Sequence, residues 1–181
     1  MNHPGRLALL LSVLIVPAVA QPDAAARLKA DLLSSNSATV VLGQWCAAAH
    51  LAAPPAIHAL RDHSEVPATA EIRALLKAGA AEPIRYRRVK LVCGDHVLSE
   101  ADNWYVPARL TPQMNTALDT SDTPFGAAVK ALDFHRTTLD AAAVNDAHTI
   151  LRVRALLLTP DETPFSLVVE NYTSELTSPQ K

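Results

Sequence analysis

The fold is decided by the stretch Ile84–Val106, with the sequence IRYRRVKLVCGDHVLSEADNWYV. Apolar and charged residues alternate within Ile84–Cys93, which is typical of a strand with one face buried. Val97–Val106 is a second extended segment, and the short run Gly94–His96 between them favours a tight turn. The centre of the chain is therefore predicted to form an antiparallel pair of strands.

The same patterns extend the sheet and predict helices around it. Further strands are predicted at Thr149–Leu158 and Phe165–Tyr172, joined by the turn Thr159–Pro164, and another at Phe134–Leu139. Apolar spacing and capping residues predict helices at Asp23–Ser35, at Ala38–Leu51, briefly at Ala56–Asp62, behind the N-cap Thr69, at Thr111–Leu118 and at Phe125–Leu132. Hairpin-linked strands with helices grouped apart predict one α+β domain, with a mainly antiparallel sheet and helices packed on one side.

Length and composition agree with a single globular domain. The chain has 181 residues, of which 49% are apolar and 19% charged, and one domain spans roughly 100–200 residues. The formal net charge is -2 and the sequence contains no basic run. We therefore expect no binding to nucleic acid through its phosphates.

The first twenty residues have the pattern of a secretory signal peptide. A short cationic start precedes the apolar run Leu7–Val16, and Pro17–Ala20 supplies the small residues of a cleavage site. The alternative is a membrane anchor, but this run is far shorter than the ~20 residues of a spanning helix. Cleavage after Ala20 predicts an exported domain of residues 21–181, periplasmic or secreted, with no stable membrane span.

Two cysteines, Cys46 and Cys93, lie beyond the predicted cleavage site. In an oxidising compartment such a pair predicts either a disulfide or two buried thiols. No histidine accompanies them at metal-ligand spacing, so we expect no metal site.

Charged residues interrupt several of the predicted strands. Glu170 follows an apolar run. Burying a carboxylate there costs free energy, so we expect it to be paired with a cation or to have a function. Arg152 and Arg154 alternate with apolar residues, and Arg88 lies beside Lys90 in the first strand. Two interpretations remain open: a sheet face that binds a small polyanion through guanidinium groups, and an exposed face with ordinary ion pairs.

An ordered set of motifs over Tyr86–Tyr172 resembles the chorismate lyase family. The matching motifs, in chain order, are Tyr86–Asp95 (YRRVKLVCGD), Trp104–Pro107 (WYVP), Thr123–Gly126 (TPFG), His135-Arg136, Arg152-Val153-Arg154 and Glu170. Before this region, only Ser37-Ala38-Thr39 lines up with the family.

The resemblance implies roles for individual residues in one buried cavity. Arg88 matches the arginine that holds the ring carboxylate, and Glu170 matches the active-site acid, suited to moving a proton. Phe125 and Ala38 stand where the family has a pocket leucine and a pocket methionine. We further expect Arg152 or Arg154 to lie near this cavity as a second anion-binding group. The family chemistry needs no cofactor.

Two functions follow from the resemblance. The first is an exported lyase that eliminates pyruvate from chorismate or a related carboxylated ring compound, favoured by the retained Arg88 and Glu170. The second is an exported, non-catalytic protein that binds an aromatic carboxylate on the same fold, favoured by the signal peptide and the changed pocket positions. A third interpretation is an envelope protein whose sheet binds another protein. In the first two, the partner is a small carboxylated ligand, and we expect a monomer.

Overall fold

The computed structural model describes residues 23–144 and 146–177. The signal peptide predicted for residues 1–20 lies outside these ranges, so export to the periplasm or the medium stays a prediction. Within the described ranges, no helix is long and apolar enough to cross a bilayer.

The described residues form a six-stranded antiparallel sheet with the strand order β1-β2-β3-β6-β5-β4. The strands are β1 (Ile57–Asp62), β2 (Arg85–Cys93), β3 (His96–Tyr105), β4 (His135–Ala143), β5 (Thr149–Leu158) and β6 (Pro164–Thr173). Hairpins join β2 to β3, β4 to β5 and β5 to β6. β6 also pairs with β3, which brings the two halves of the sheet together at its centre.

Five α-helices accompany the sheet in the described part of the chain. They are α1 (Ala24–Leu33), α2 (Ala38–Ala48), α3 (Ala70–Leu75), α4 (Pro112–Thr120) and α5 (Phe125–Ala128). Four of them begin at side-chain caps that accept a hydrogen bond from the N–H three residues on: Asp23, Ser37, Thr69 and Thr111. Each cap satisfies one backbone donor that the first turn leaves unpaired.

The two faces of the sheet are covered differently. Apolar residues of α1, α2, α4 and α5, such as Leu28, Leu42, Leu118 and Phe125, pack in clusters with residues of one sheet face, such as Val89. On the other face, α3 packs its buried residues against Trp104 and Leu167. The predicted α+β domain with an antiparallel sheet is confirmed, with α3 on the face opposite the other helices.

One predicted helix is wrong. The segment predicted as a short helix at Ala56–Asp62 is β1, which pairs with β2 from Ile57 opposite Cys93 to Asp62 opposite Arg88. A helix of that length has less than two turns, and pairing with a neighbouring strand satisfies its backbone groups instead. The helix predicted at Phe125–Leu132 is also shorter, because α5 ends at Ala128 and a 3-10 turn follows.

The two cysteines form a disulfide, which decides between the two alternatives left by the sequence. Cys46 of α2 is bonded to Cys93 at the end of β2, and their Cα atoms are 6.2 Å apart. A cross-link that closes a loop of this length typically stabilises the folded state by about 2–4 kcal/mol. It fastens the carboxyl-terminal half of α2 to the sheet.

Candidate functional site

A small cavity lies between the sheet and the first turns of α2 and α5. Its volume is about 30 Å³, room for roughly one or two water molecules. The helical side contributes Ala38, Thr39, Phe125 and Gly126. The sheet contributes both apolar and polar residues: Val89, Leu91, Ala101, Asn103, Arg136, Leu157, Val168 and Glu170.

A buried ion pair lies at this cavity. Nη2 of Arg136, on the edge strand β4, donates a hydrogen bond to Oε2 of Glu170 on β6. The hydroxyl of Tyr172 donates to the same carboxylate oxygen at 2.9 Å. The side chains of Arg136 and Glu170 are only 5% and 8% exposed. Both charges are therefore withdrawn from solvent and compensate each other.

The surroundings keep the guanidinium of Arg136 charged. Burial alone would lower the pKa of Arg136, but the neighbouring Glu170 carboxylate and Tyr172 raise it above its ordinary value. Burial and the charge of Glu170 raise the pKa of Tyr172 well above 10. At neutral pH the guanidinium is charged and the phenol is protonated, so both act as hydrogen-bond donors to Glu170.

Strand alternation explains why Glu170 points toward the helices. Glu170 stands opposite Ala101 on β3 and Val153 on β5, and both of these face the helix-covered side. An isolated carboxylate buried there would cost several kcal/mol, so Arg136 makes the position tolerable. In proteins, a well-packed apolar pair is often at least as stable as a buried ion pair, so the two charges are candidates for a function beyond stability.

The two helices meet closely above the cavity. A Cβ at Gly126, in the first turn of α5, would lie 3.3 Å from Oγ of Ser37 and 3.7 Å from Oγ1 of Thr39. The N–H groups of Ala38 and Thr39 belong to the first turn of α2, where no intrahelical acceptor exists. They add partial positive charge at the cavity wall.

A surface groove of about 440 Å³ adjoins the cavity on its outer side. Cavity and groove share five lining residues: Asn36, Ser37, Thr39, Gly126 and Phe134. Phe134, which is half-buried, belongs to both linings.

The structure brings together three of the residues predicted for one site. Ala38, Phe125 and Glu170 all line the cavity. Across the described residues, no group of three or more His, Cys, Asp or Glu side chains could hold a metal ion. The lining combines apolar side chains, the Arg136–Glu170 ion pair and neutral polar groups such as Asn103, an arrangement suited to binding a small polar molecule.

Arg88 does not share this cavity, so the predicted juxtaposition of Arg88 and Glu170 is wrong. Arg88 lies on the opposite face of the sheet, where its guanidinium is 3.1 Å from Glu100, 3.5 Å from Asp102 and 3.8 Å from Asp62. Arg87 is the residue of this pair that faces the helices, because it alternates in phase with the buried Val89. A shift of one residue in a strand moves a side chain to the other face.

The predicted placement of Arg152 or Arg154 beside the cavity is also wrong. Both line a groove on the opposite face together with Trp104. Arg154 forms an ion pair with Glu71 at 2.8 Å. Both arginines alternate with Val153, which occupies the helix-covered face, so they must point away from it. Arg88 and Arg154 therefore form ordinary ion pairs on the sheet surface. This is the second of the two alternatives left open by the sequence, which were a polyanion-binding face and an exposed face with ion pairs.

Sequence reasoning missed Arg136 as the cation of the site. Phe134 and Arg136 are two residues apart, so in an extended segment they share one face. Because Phe134 is apolar, it indicates that this face is buried. The sequence therefore contains a signal that Arg136 points inward. The pairing of Arg136 with Glu170 depends on which strands become neighbours, which local patterns do not reveal.

No family model matches the sequence. Among solved structures, the effector domain of PhnF from Mycobacterium smegmatis is similar, with a TM-score of 0.55 and 13% identity, covering 77% of this chain and 90% of that domain. The ligand-binding domain of a GntR-family transcriptional regulator from Bordetella bronchiseptica matches with a TM-score of 0.50 and 17% identity, over 69% of this chain and 87% of that one. At these identities the likeness shows the fold alone.

These matches confirm the predicted chorismate lyase-like α+β fold and correct the rest of the resemblance. The solved structures that match are effector and ligand-binding domains of transcriptional regulators. Identification as an exported member of the chorismate lyase family is therefore wrong. The exported lyase inferred from it is overturned, and the exported non-catalytic variant loses its basis in that family, so the chemistry of any ligand has to be inferred from the cavity of this chain.

A sequence relative shows the family. The uncharacterized protein y4mC of Sinorhizobium fredii (strain NBRC 101917 / NGR234) is 44% identical over 174 residues, covering 82% of this chain and 73% of y4mC. At this identity and coverage, the chain belongs to the same family as y4mC.

Proposed function

We propose that this domain binds a small molecule carrying a carboxylate group, at the cavity between the sheet and the first turns of α2 and α5. The observation that carries the proposal is the buried guanidinium of Arg136. Glu170 is the ionic partner of Arg136. Nε of Arg136 is buried and has no hydrogen-bond partner among the described residues. A buried guanidinium with unused donors is suited to a carboxylate, which it holds with two parallel hydrogen bonds.

The rest of the lining suits the body of such a ligand. Leu91, Phe125, Phe134, Leu157 and Val168 surround the ion pair with apolar surface. Ligand sites in proteins are mostly apolar with a few fixed polar groups that set orientation. A ligand with a carboxylate at one end and a compact apolar or ring-shaped body at the other would place its charge against Arg136 and its body against the apolar side chains.

Binding of such a ligand requires the cavity to open. Its volume of about 30 Å³ is too small for a ring, whereas the adjoining groove offers about 440 Å³. We expect the ligand to enter beside Gly126 and to displace Phe134 or the first turn of α2. The disulfide at Cys46 holds the other end of α2, so the movement is confined to its beginning.

The fold supports a binding role. The similar domains from Mycobacterium smegmatis and Bordetella bronchiseptica are described as an effector domain and a ligand-binding domain. Their likeness does not identify a ligand, so the chemistry of the ligand is inferred from the cavity of this chain.

Isothermal titration calorimetry with benzoate, and with benzamide as its uncharged counterpart, tests the proposal. We expect benzoate to bind at least about tenfold more tightly than benzamide, because only the carboxylate forms a charge-assisted pair with Arg136. The variant is Arg136→Met/Glu170→Gln, because removing Arg136 alone would leave a buried charge at a cost of about 3–5 kcal/mol. This double variant should lose the preference for benzoate.

The matched control is Arg152→Met, which removes an exposed arginine on the opposite face of the sheet. It should bind benzoate as the wild type does. Equal binding of benzoate by the wild type and by a folded double variant would contradict the proposed site. Failure of the wild type to bind benzoate would contradict a carboxylate site of this size.

A further inference from the structure

We propose that Glu170 determines the charge that the site accepts, so that a carboxylate ligand binds together with one proton taken from solvent. This inference rests on the proposed function and assigns to Glu170 a role in specificity. It follows from counting the ionisable groups around Arg136.

Arg136 and Glu170 are the two charged residues in the described lining of the cavity. At the start of α2 the lining has the N-cap Ser37 together with Ala38 and Thr39, and from α5 it has Phe125 and Gly126. β2 and β3 add three apolar residues and Asn103, and β5 adds Leu157. Tyr172, beside Glu170 on β6, is protonated, so it adds no charge. The walls together carry one positive and one negative charge.

A ligand carboxylate would place a second negative charge beside this pair. Two carboxylates would then share one guanidinium in a site with little solvent. Like charges a few ångströms apart in such a place repel strongly, and the usual outcome is that one of them takes a proton.

The hydrogen bonds leave a position for that proton on Glu170. Arg136 and Tyr172 both donate to Oε2, and Oε1 has no hydrogen-bond partner among the described residues. A proton from solvent on Oε1 would let Glu170 donate to the ligand carboxylate. The ligand keeps its negative charge and takes the guanidinium donors that Glu170 does not use, and the site stays neutral overall.

Because proton uptake is coupled to ligand binding, it determines how the binding affinity changes with pH. If one proton is taken up per ligand, the association constant falls about tenfold for each pH unit of increase. With glutamine at position 170, the lining carries a single positive charge. Binding should then require no proton, vary little with pH, and be at least about tenfold tighter at neutral pH.

Calorimetry of benzoate binding in two buffers of different ionisation enthalpy, PIPES and Tris, measures the protons taken up. We expect close to one proton per benzoate for the wild type at about pH 7, and none for Glu170→Gln. Glutamine keeps an acceptor for Tyr172 and Arg136, which makes it the conservative replacement.

Binding of benzoate by the wild type without proton uptake would overturn this inference and leave the proposed function standing. The same uptake in Glu170→Gln would also overturn it, because the proton would then lie elsewhere. Absence of binding in both proteins would overturn the inference together with the proposed function. If Glu170→Gln does not fold, the wild type decides alone, with a fall in affinity of about a hundredfold between pH 6 and pH 8 expected, and a flat profile contradicting it.

Discussion

At the scale of single residues, the central feature is a charge pair in a place where most proteins have apolar side chains. Arg136 and Glu170 are almost fully buried and belong to strands that are not neighbours in the sheet. A buried pair of this kind adds little net stability, because removing two charges from water offsets their attraction. Its position on a cavity wall, with guanidinium donors unused, is what connects it to ligand binding.

Tyr172 allows a test of the electrostatics around this pair. Its raised pKa means that the folded protein retains the phenol proton while the unfolded chain loses it near pH 10. The folded state then binds more protons than the unfolded state, so its contribution to stability is present below pH 10 and is lost above it. Tyr172→Phe should cost about 1–3 kcal/mol at about pH 8 through the lost bond to Glu170.

Urea unfolding of the wild type and Tyr172→Phe at about pH 8 and about pH 10.5 measures this contribution. The difference in unfolding free energy between the two proteins should shrink at the higher pH. Burial lowers the pKa of Arg87 to about 10, but Arg87 is present in both proteins, so its effect cancels in the difference between them. A difference that stays constant with pH would contradict the account of Tyr172.

At the scale of elements, the site depends on how closely α2 and α5 approach each other. Ser37 caps α2 by accepting a hydrogen bond from the N–H of Val40, and Gly126 lets the first turn of α5 lie against Ser37 and Thr39. The disulfide fastens the far end of α2 to β2. The beginnings of both helices are therefore the parts positioned to respond to a ligand.

Gly126→Val tests this approach. Its Cβ would lie 3.3 Å from Oγ of Ser37, and the two added methyl groups would enlarge the conflict. We expect overpacking to lower stability by about 1–3 kcal/mol and to weaken benzoate binding at least about tenfold, as measured by calorimetry. Gly79→Val is the matched control, because a Cβ there meets nothing within 4 Å. Unchanged benzoate affinity in Gly126→Val would show that the contact between α2 and α5 does not shape the site.

Local patterns were sufficient for most elements and insufficient for the edges of the sheet. Alternation identifies β2, in which Val89, Leu91 and Cys93 share one buried face, and Thr69 and Thr111 mark helix starts through their caps. β1 has six residues without such a face, and its pairing with β2 decides its conformation. Short segments of this kind take their structure from neighbours that are distant in sequence.

At the scale of the whole molecule, the two faces of one sheet have different chemistry. The face covered by α1, α2, α4 and α5 contains the cavity and its buried ion pair. The opposite face carries paired surface charges, including those of Arg88 and Arg154. Surface pairs of this type typically contribute less than about 1 kcal/mol each.

The sequence predicted the architecture and three cavity residues, but not the site's cation. Ala38, Phe125 and Glu170 were proposed from the resemblance and do line one cavity. Arg88 was assigned to it although alternation places Arg88 on the face away from Val89. Arg136 was recognised only as part of a matching motif, because its partner lies 34 residues away on a strand that it does not pair with.

The most direct test of the carboxylate site is a crystal structure of the protein soaked with 4-bromobenzoate. The anomalous signal of bromine locates the ring, and the density around Arg136 shows where the carboxylate binds. We predict bromine in the space between Phe125 and Phe134, with a carboxylate oxygen about 2.7–3.2 Å from a guanidinium nitrogen of Arg136. Bromine bound only on the opposite face, beside Arg152 and Arg154, would contradict the proposed site.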